Sequence, residues 1–113
     1  MLNLTLITLM FVGLVSTRSA FAQSDSQIVT LTGWVSCTTC LLPNTCKAQT
    51  RRSCVWWWVN QGAAYVLVVG TRHYRLLGPD KELKKLSKFA GDTVTITGEQ
   101  FRSEVTVTTV QAE

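Results

Sequence analysis

Histidine is almost absent from this chain: His73 is the only one among 113 residues. A c-type haem attached at Cys37 and Cys40 needs a histidine directly after the second cysteine, and Leu41 stands there instead. The nucleophilic pairing still open to a histidine, Cys37 with His73, has no third group in the sequence to orient it. Acids are sparse too, with seven Asp and Glu in all. Asp80 and Asp92 flank a predicted helix, and Glu99 and Glu104 bracket a predicted hairpin, positions that suit caps and solubility and not an acid/base pair. With no internal repeat, low-complexity tract or second-domain linker either, the sequence offers no catalytic constellation. It is read as a non-enzyme with no cofactor.

Long apolar runs are also missing. The stretch from Leu4 to Val15 is shorter than the roughly 18 to 20 residues a spanning helix needs. It is followed by Ala20-Phe21-Ala22, which puts small residues at the two positions a signal peptidase reads, so residues 1–22 are expected to be a cleaved signal peptide. Because its first residues lack Lys and Arg, an uncleaved anchor is the alternative. The first cysteine, Cys37, lies too far from the apolar run for lipid attachment. Cleavage would leave Gln23–Glu113, a single monomeric domain of 91 residues without a transmembrane segment, secreted or periplasmic. Loss of Arg18 lowers the formal charge from +4 to +3, ten cations against seven acids. That balance favours solubility and a weak attraction to anionic surfaces. Export removes the usual nucleic-acid partners, so nucleic acid is not expected.

What the chain does have is concentrated between Gly33 and Gly62, which hold all four cysteines and all four tryptophans. Around that stretch the pattern is β-rich. Ile28 to Val35 alternates as strand one, with Val29, Leu31 and Val35 on one face, and Gly33 inside it suggests a bulge or tight bend. Irregular chain is expected from Ser36 to Thr45, then a short helix from Lys47 to Asn60 ended by Gly62. Ala64 to Val69 and Arg72 to Leu77 read as strands two and three joined at Gly70-Thr71. Asp80, as N-cap, opens a helix to Ala90 with Leu83, Leu86, Phe89 and Ala90 on one side and Lys81, Lys84, Lys85 and Lys88 on the other. Thr93 to Gly98 and Glu104 to Val110 are strands four and five, with Glu99 to Ser103 as their loop. A single helix between strands three and four predicts an all-β OB-like barrel of five strands with minor α, carrying a cysteine-rich, partly helical excursion between strands one and two. A small antiparallel sandwich is the runner-up, and it rarely inserts a helix there.

Gly33-Trp34-Val35-Ser36 leading to Cys40, the run Gln61-Gly62-Ala63-Ala64-Tyr65-Val66-Leu67-Val68, and Ala90-Gly91-Asp92-Thr93-Val94-Thr95-Ile96-Thr97-Gly98 together resemble a group of small exported bacterial proteins with no assigned function. The resemblance covers nearly all of residues 23–113 and implies an OB-like domain in the bacterial cell envelope. In that group an Asp often stands where this chain has Cys37, and a cysteine where it has Trp58.

The cysteines follow C-x2-C-x5-C-x7-C at 37, 40, 46 and 54. Export and an even count point first to structural disulfides, with the connectivity open. A Cys40–Cys54 link, for example, would close a loop of about fifteen residues and contribute roughly 3 kcal/mol. Two alternatives stay open: a zinc site built from Cys37, Cys40, Cys46 and Cys54, which lacks a second C-x2-C, and thiol-redox chemistry at Cys37/Cys40. The expected function is a disulfide-stabilised binding or envelope-associated module. Its candidate patch is Trp56, Trp57 and Trp58 with Arg51 and Arg52, joined by Arg72, Tyr74 and Arg75 on strand three. Three consecutive tryptophans cannot all face one core, in a helix or in a strand, so at least one ring should be partly exposed.

Overall fold

The computed structural model describes residues 26–47 and 49–113; the expected signal peptide lies outside them. Five strands close into one barrel: β1 (Gln27–Cys37), β2 (Tyr65–Val69), β3 (Arg72–Leu77), β4 (Thr93–Phe101) and β5 (Glu104–Ala112), in the order β1-β2-β3-β5-β4. The excursion between β1 and β2 holds a 3-10 turn (Thr39–Leu41) and helix α1 (Arg51–Asn60), and α2 (Asp80–Lys88) lies between β3 and β4. All named strand pairs are antiparallel except β3 with β5, the pairing that closes the cylinder across the α2 connection. This is an OB-like barrel with minor α.

Two glycines let the barrel close. β1 pairs with β4 from Gln27 to Trp34 and with β2 from Trp34 to Cys37, so it must bend sharply to serve both neighbours. Gly33 stands at that bend, where a Cβ would collide with the Val68 carbonyl. On β4 the register slips between Thr97 and Gly98, and a Cβ at Gly98 would collide with the Thr106 carbonyl. The expected irregularity at Gly33 is thus a bend with unbroken pairing, and the register break belongs to Gly98.

Alternating residues of the strands fill the interior: Val35, Leu67, Tyr74, Leu76, Val94, Ile96, Val105 and Val107, with Leu86 of α2 as a buried plug. A second apolar cluster, Cys37, Val55 and Ala90 with Trp58 and Val59 against it, seats α1 on the end of β1.

Several boundaries differ from expectation. β1 runs on through Ser36 and Cys37, because both pair with β2. Helix α1 starts at Arg51 and not Lys47, since Thr50 caps it, its Oγ1 accepting from the Ser53 N–H at 3.2 Å. Asp80 is the first helical residue and not the cap; that place falls to Pro79, which offers no side-chain bond. Asp80 and Glu82 in the first turn and Lys85 and Lys88 in the last still complement the helix dipole. β4 extends to Phe101, which shrinks the expected Glu99–Ser103 loop to Arg102 and Ser103, with Arg102 at φ 58°. Among the described residues no helix is long and apolar enough to cross a membrane.

Candidate functional site: a disulfide cap beside a cationic groove

The end of β1 and the turn after it bring the first cysteines together. Cys37 is the last residue of the strand, and the 3-10 turn folds Cys40 back onto it, so the two form a disulfide. The Cys40 N–H donates to Cys37 Sγ at 3.0 Å. Cys46 bonds to Cys54 in the first turns of α1, and there is no free cysteine among the described residues. The pairs are therefore neighbours in sequence, and the Cys40–Cys54 link considered above is not formed. Chain-entropy arguments give these short loops about 2 kcal/mol each.

The two bonds lie side by side. Cys54 Sγ is 3.9 Å from Cys40 Sγ, and the sulfurs of Cys40, Cys46 and Cys54 all fall within 4.8 Å of one another. Cys37 and Cys54 are fully buried, whereas Cys40 and Cys46 are half-buried. Thr45 ties the loop above them: its hydroxyl donates to the Thr39 and Leu42 carbonyls at 3.0 and 2.9 Å, and its own carbonyl accepts from Trp58 Nε1 at 3.2 Å. A metal would need thiolates. In this oxidised state every sulfur is bonded to another, so the cluster could serve a metal only after reduction.

The tryptophan run spreads over three environments. Trp58 packs on the cluster around Cys37 and Val55. Trp56 is 42% exposed, but its Nε1 donates to the Ser87 carbonyl at 2.8 Å and so clips α1 to α2. Trp57 is 51% exposed. The nearby arginines lie along the surface with partners of their own: the Arg51 guanidinium lies 4.2 Å from the centroid of the Trp34 ring. Arg52 bonds Asp92 at 2.8 Å and the Lys88 carbonyl at 3.3 Å. Both cations thus join α1 to β1 and to the start of β4. Tyr65, close by, has its phenol pKa pushed up by burial, with a hydrogen bond to Ser87 pulling it partly back.

The residues expected to extend this patch sit elsewhere. Tyr74 is 8% exposed and belongs to the barrel interior. Arg72 and Arg75 are exposed on β3 and do not line the depression of Trp56, although Arg75 borders a neighbouring one that shares Val59 and Tyr65 with it.

Around β3 two depressions adjoin. One is lined by Thr71, Arg72, His73, Tyr74, Gln100, Arg102 and Ser103, and the other by Thr38, Leu41, Val66, His73, Arg75 and Glu104 with Ser103 again. They share His73 and Ser103 and adjoin between the β4–β5 hairpin and the 3-10 turn. Three arginines border this grooved region against one carboxylate, Glu104. Among the described residues neither Arg72, Arg75 nor Arg102 takes part in an ion pair, those present being Arg52 with Asp92 and Lys85 with Glu82. Gln100 Nε2 donates to the Arg102 carbonyl at 2.9 Å and steadies the hairpin tip, where the Arg102 guanidinium lies 5.2 Å from the Phe101 ring centroid. Sequence reasoning missed Gln100, Arg102 and Leu41, which are distant from β3 along the chain. The one available signal was the Arg102-Ser103 pair at a hairpin tip.

No family model matches the chain, and neither a curated protein nor a solved structure matches it.

Proposed function

We propose that this protein is an exported OB-like binding module, not an enzyme, and that its groove over β3 takes an extended anionic ligand outside the cytoplasm. The observation that carries this reading is that Arg72, Arg75 and Arg102 line two adjoining depressions with a single carboxylate. Long cationic side chains without an ion-pair partner keep their capacity for carboxylate or phosphate groups, and Arg presents them a planar fork. The location agrees, since barrels of this type bind ligands across strands two and three and the adjoining loops. Single-stranded nucleic acid fits less well. It needs stacking platforms, and Tyr74, though it lines the depression beside Arg72, is only 8% exposed, while Tyr65 is half-buried. The signal-like leader, the resemblance to small exported bacterial proteins and two disulfides, which persist in oxidising compartments, support export. Thr38 and Leu41, on either side of Cys40, border the groove at the 3-10 turn.

The test compares two triple variants of equal charge. Binding of inorganic polyphosphate and of polygalacturonate would be titrated at low salt against Arg72→Ala/Arg75→Ala/Arg102→Ala and against Lys81→Ala/Lys84→Ala/Lys88→Ala, whose lysines are exposed on α2. The arginine variant should lose about 10- to 100-fold in affinity and the lysine variant little, as three surface contacts would give. Equal losses would reduce the effect to net charge and reject a site on β3.

A further inference from the structure

Two disulfides whose sulfurs touch can do more than staple. We propose that they form an internal exchange relay, in which Cys54 and Cys40 become partners when an external thiol opens the cap. The inference does not depend on the groove.

Three features support it. First, access is asymmetric: Cys46 is half-buried and open to an attacking thiolate, while its partner Cys54 is fully buried. Attack at Cys46 joins the external sulfur to Cys46, breaks the Cys46–Cys54 bond and leaves the electron pair on Cys54 Sγ. Second, that new thiolate is born 3.9 Å from Cys40 Sγ, inside a buried cluster that restricts other electrophiles. Its attack there forms Cys40–Cys54 and breaks Cys37–Cys40. Third, the leaving group is prepared. Cys37 Sγ receives the electron pair while accepting the Cys40 N–H at 3.0 Å, a bond that favours the thiolate. The Cys37 thiolate then takes a proton from solvent.

The balance closes. One thiolate enters and one emerges, and two disulfides become a mixed disulfide at Cys46 plus Cys40–Cys54. A second external thiolate resolves the mixed disulfide, releasing an oxidised external disulfide and the Cys46 thiolate. Overall the protein has accepted two electrons from a thiol or dithiol reductant, and it keeps one bond. That surviving bond is neither of the original two. It ties α1 directly to the 3-10 turn, so the cap stays closed while the chain acts as a one-disulfide oxidant.

The relay fixes which thiols appear. The full chain would be treated with graded reduced glutathione, quenched in acid, alkylated and mapped by mass spectrometry. In the species with one bond left, label should fall on Cys37 and Cys46, at least tenfold above Cys40 and Cys54. Label on Cys46 with Cys54, or on Cys37 with Cys40, would overturn the relay. A Cys46→Ser variant tests the central step alone: Cys54 should be protected and Cys37 should carry the label, and a labelled Cys54 beside an intact Cys37–Cys40 bond would reject it. Should that variant fail to fold, Cys37→Ser/Cys46→Ser under oxidising refolding should form Cys40–Cys54, and two free thiols would reject the proposal.

Discussion

Arg52 Nη2 lies 2.8 Å from Asp92 Oδ2, a contact that spans forty positions of sequence and pins the first turn of α1 to the entrance of β4. Both side chains are about half exposed, at 42% and 49%, so the ion pair itself is worth at most about 1 kcal/mol. Arg52 also bonds the Lys88 carbonyl at the end of α2 and faces the Trp56 ring. Urea unfolding should therefore show Arg52→Ala costing about 1 to 2 kcal/mol and Asp92→Asn less than about 1 kcal/mol. Equal costs would mean that only the ion pair matters.

The three adjacent tryptophans should separate cleanly. Trp58 packs on the second cluster and bonds Thr45, so Trp58→Ala should cost about 3 kcal/mol or more. Trp56→Ala should cost about 1 to 2 kcal/mol, from partial burial and the lost bond to Ser87. Trp57→Ala should stay within about 0.5 kcal/mol, as for a surface site. Acrylamide should quench the wild type strongly and the Trp57 variant least. A Trp57 variant as destabilised as the Trp58 one would contradict the placement of these rings.

Gly33 should resist even alanine. In most strands that change is neutral or helpful, because it reduces the entropy of the unfolded chain. Here the added methyl meets the Val68 carbonyl, and β1 would have to loosen from β2. Gly33→Ala should lower stability by about 1 to 3 kcal/mol, the usual range for overpacking, and Gly98→Ala should behave alike against the Thr106 carbonyl. A Gly33→Ala protein with wild-type midpoint would show that the bend tolerates a side chain.

Tyr65 sets an alkaline limit. Burial raises its pKa above the ordinary 10.0, with the Ser87 hydrogen bond opposing. The folded protein therefore holds the phenolic proton more tightly than the unfolded chain does. Above pH 10 the unfolded state binds fewer protons than the native one, so stability falls as pH rises. The contribution is complete below pH 10 and disappears above it. Denaturation midpoints measured upward from pH 9 should fall less steeply in Tyr65→Phe than in the wild type. Parallel slopes would show that Tyr65 ionises equally in both states.

Strand and helix placement, and with it the barrel, was legible in the sequence because it rests on local periodicity. Val94 and Ile96 alternate whatever the rest of the chain does, and Leu83 and Leu86 keep helical spacing. The same holds for the tryptophan run, whose partial exposure follows from helix geometry alone. Boundaries failed where a partner strand decided them: Ser36 and Cys37 carry no local strand signal, and they are extended because Val66 and Tyr65 pair with them. The disulfide partners could not be read either. Spacing alone permits three pairings of four cysteines, and the choice came from a 3-10 turn that folds Cys40 onto the end of β1. The arrangement of the candidate patch was hidden for a related reason. Tyr74 and Arg75 are adjacent in sequence, but a strand in a closed barrel sends one inward and the next outward. Only the parallel pairing of β3 with β5, a contact between chain segments about thirty residues apart, brings the hairpin of Arg102 beside Arg75. Residue type and periodicity settled the elements of this protein; the closure of the barrel settled which side chains meet.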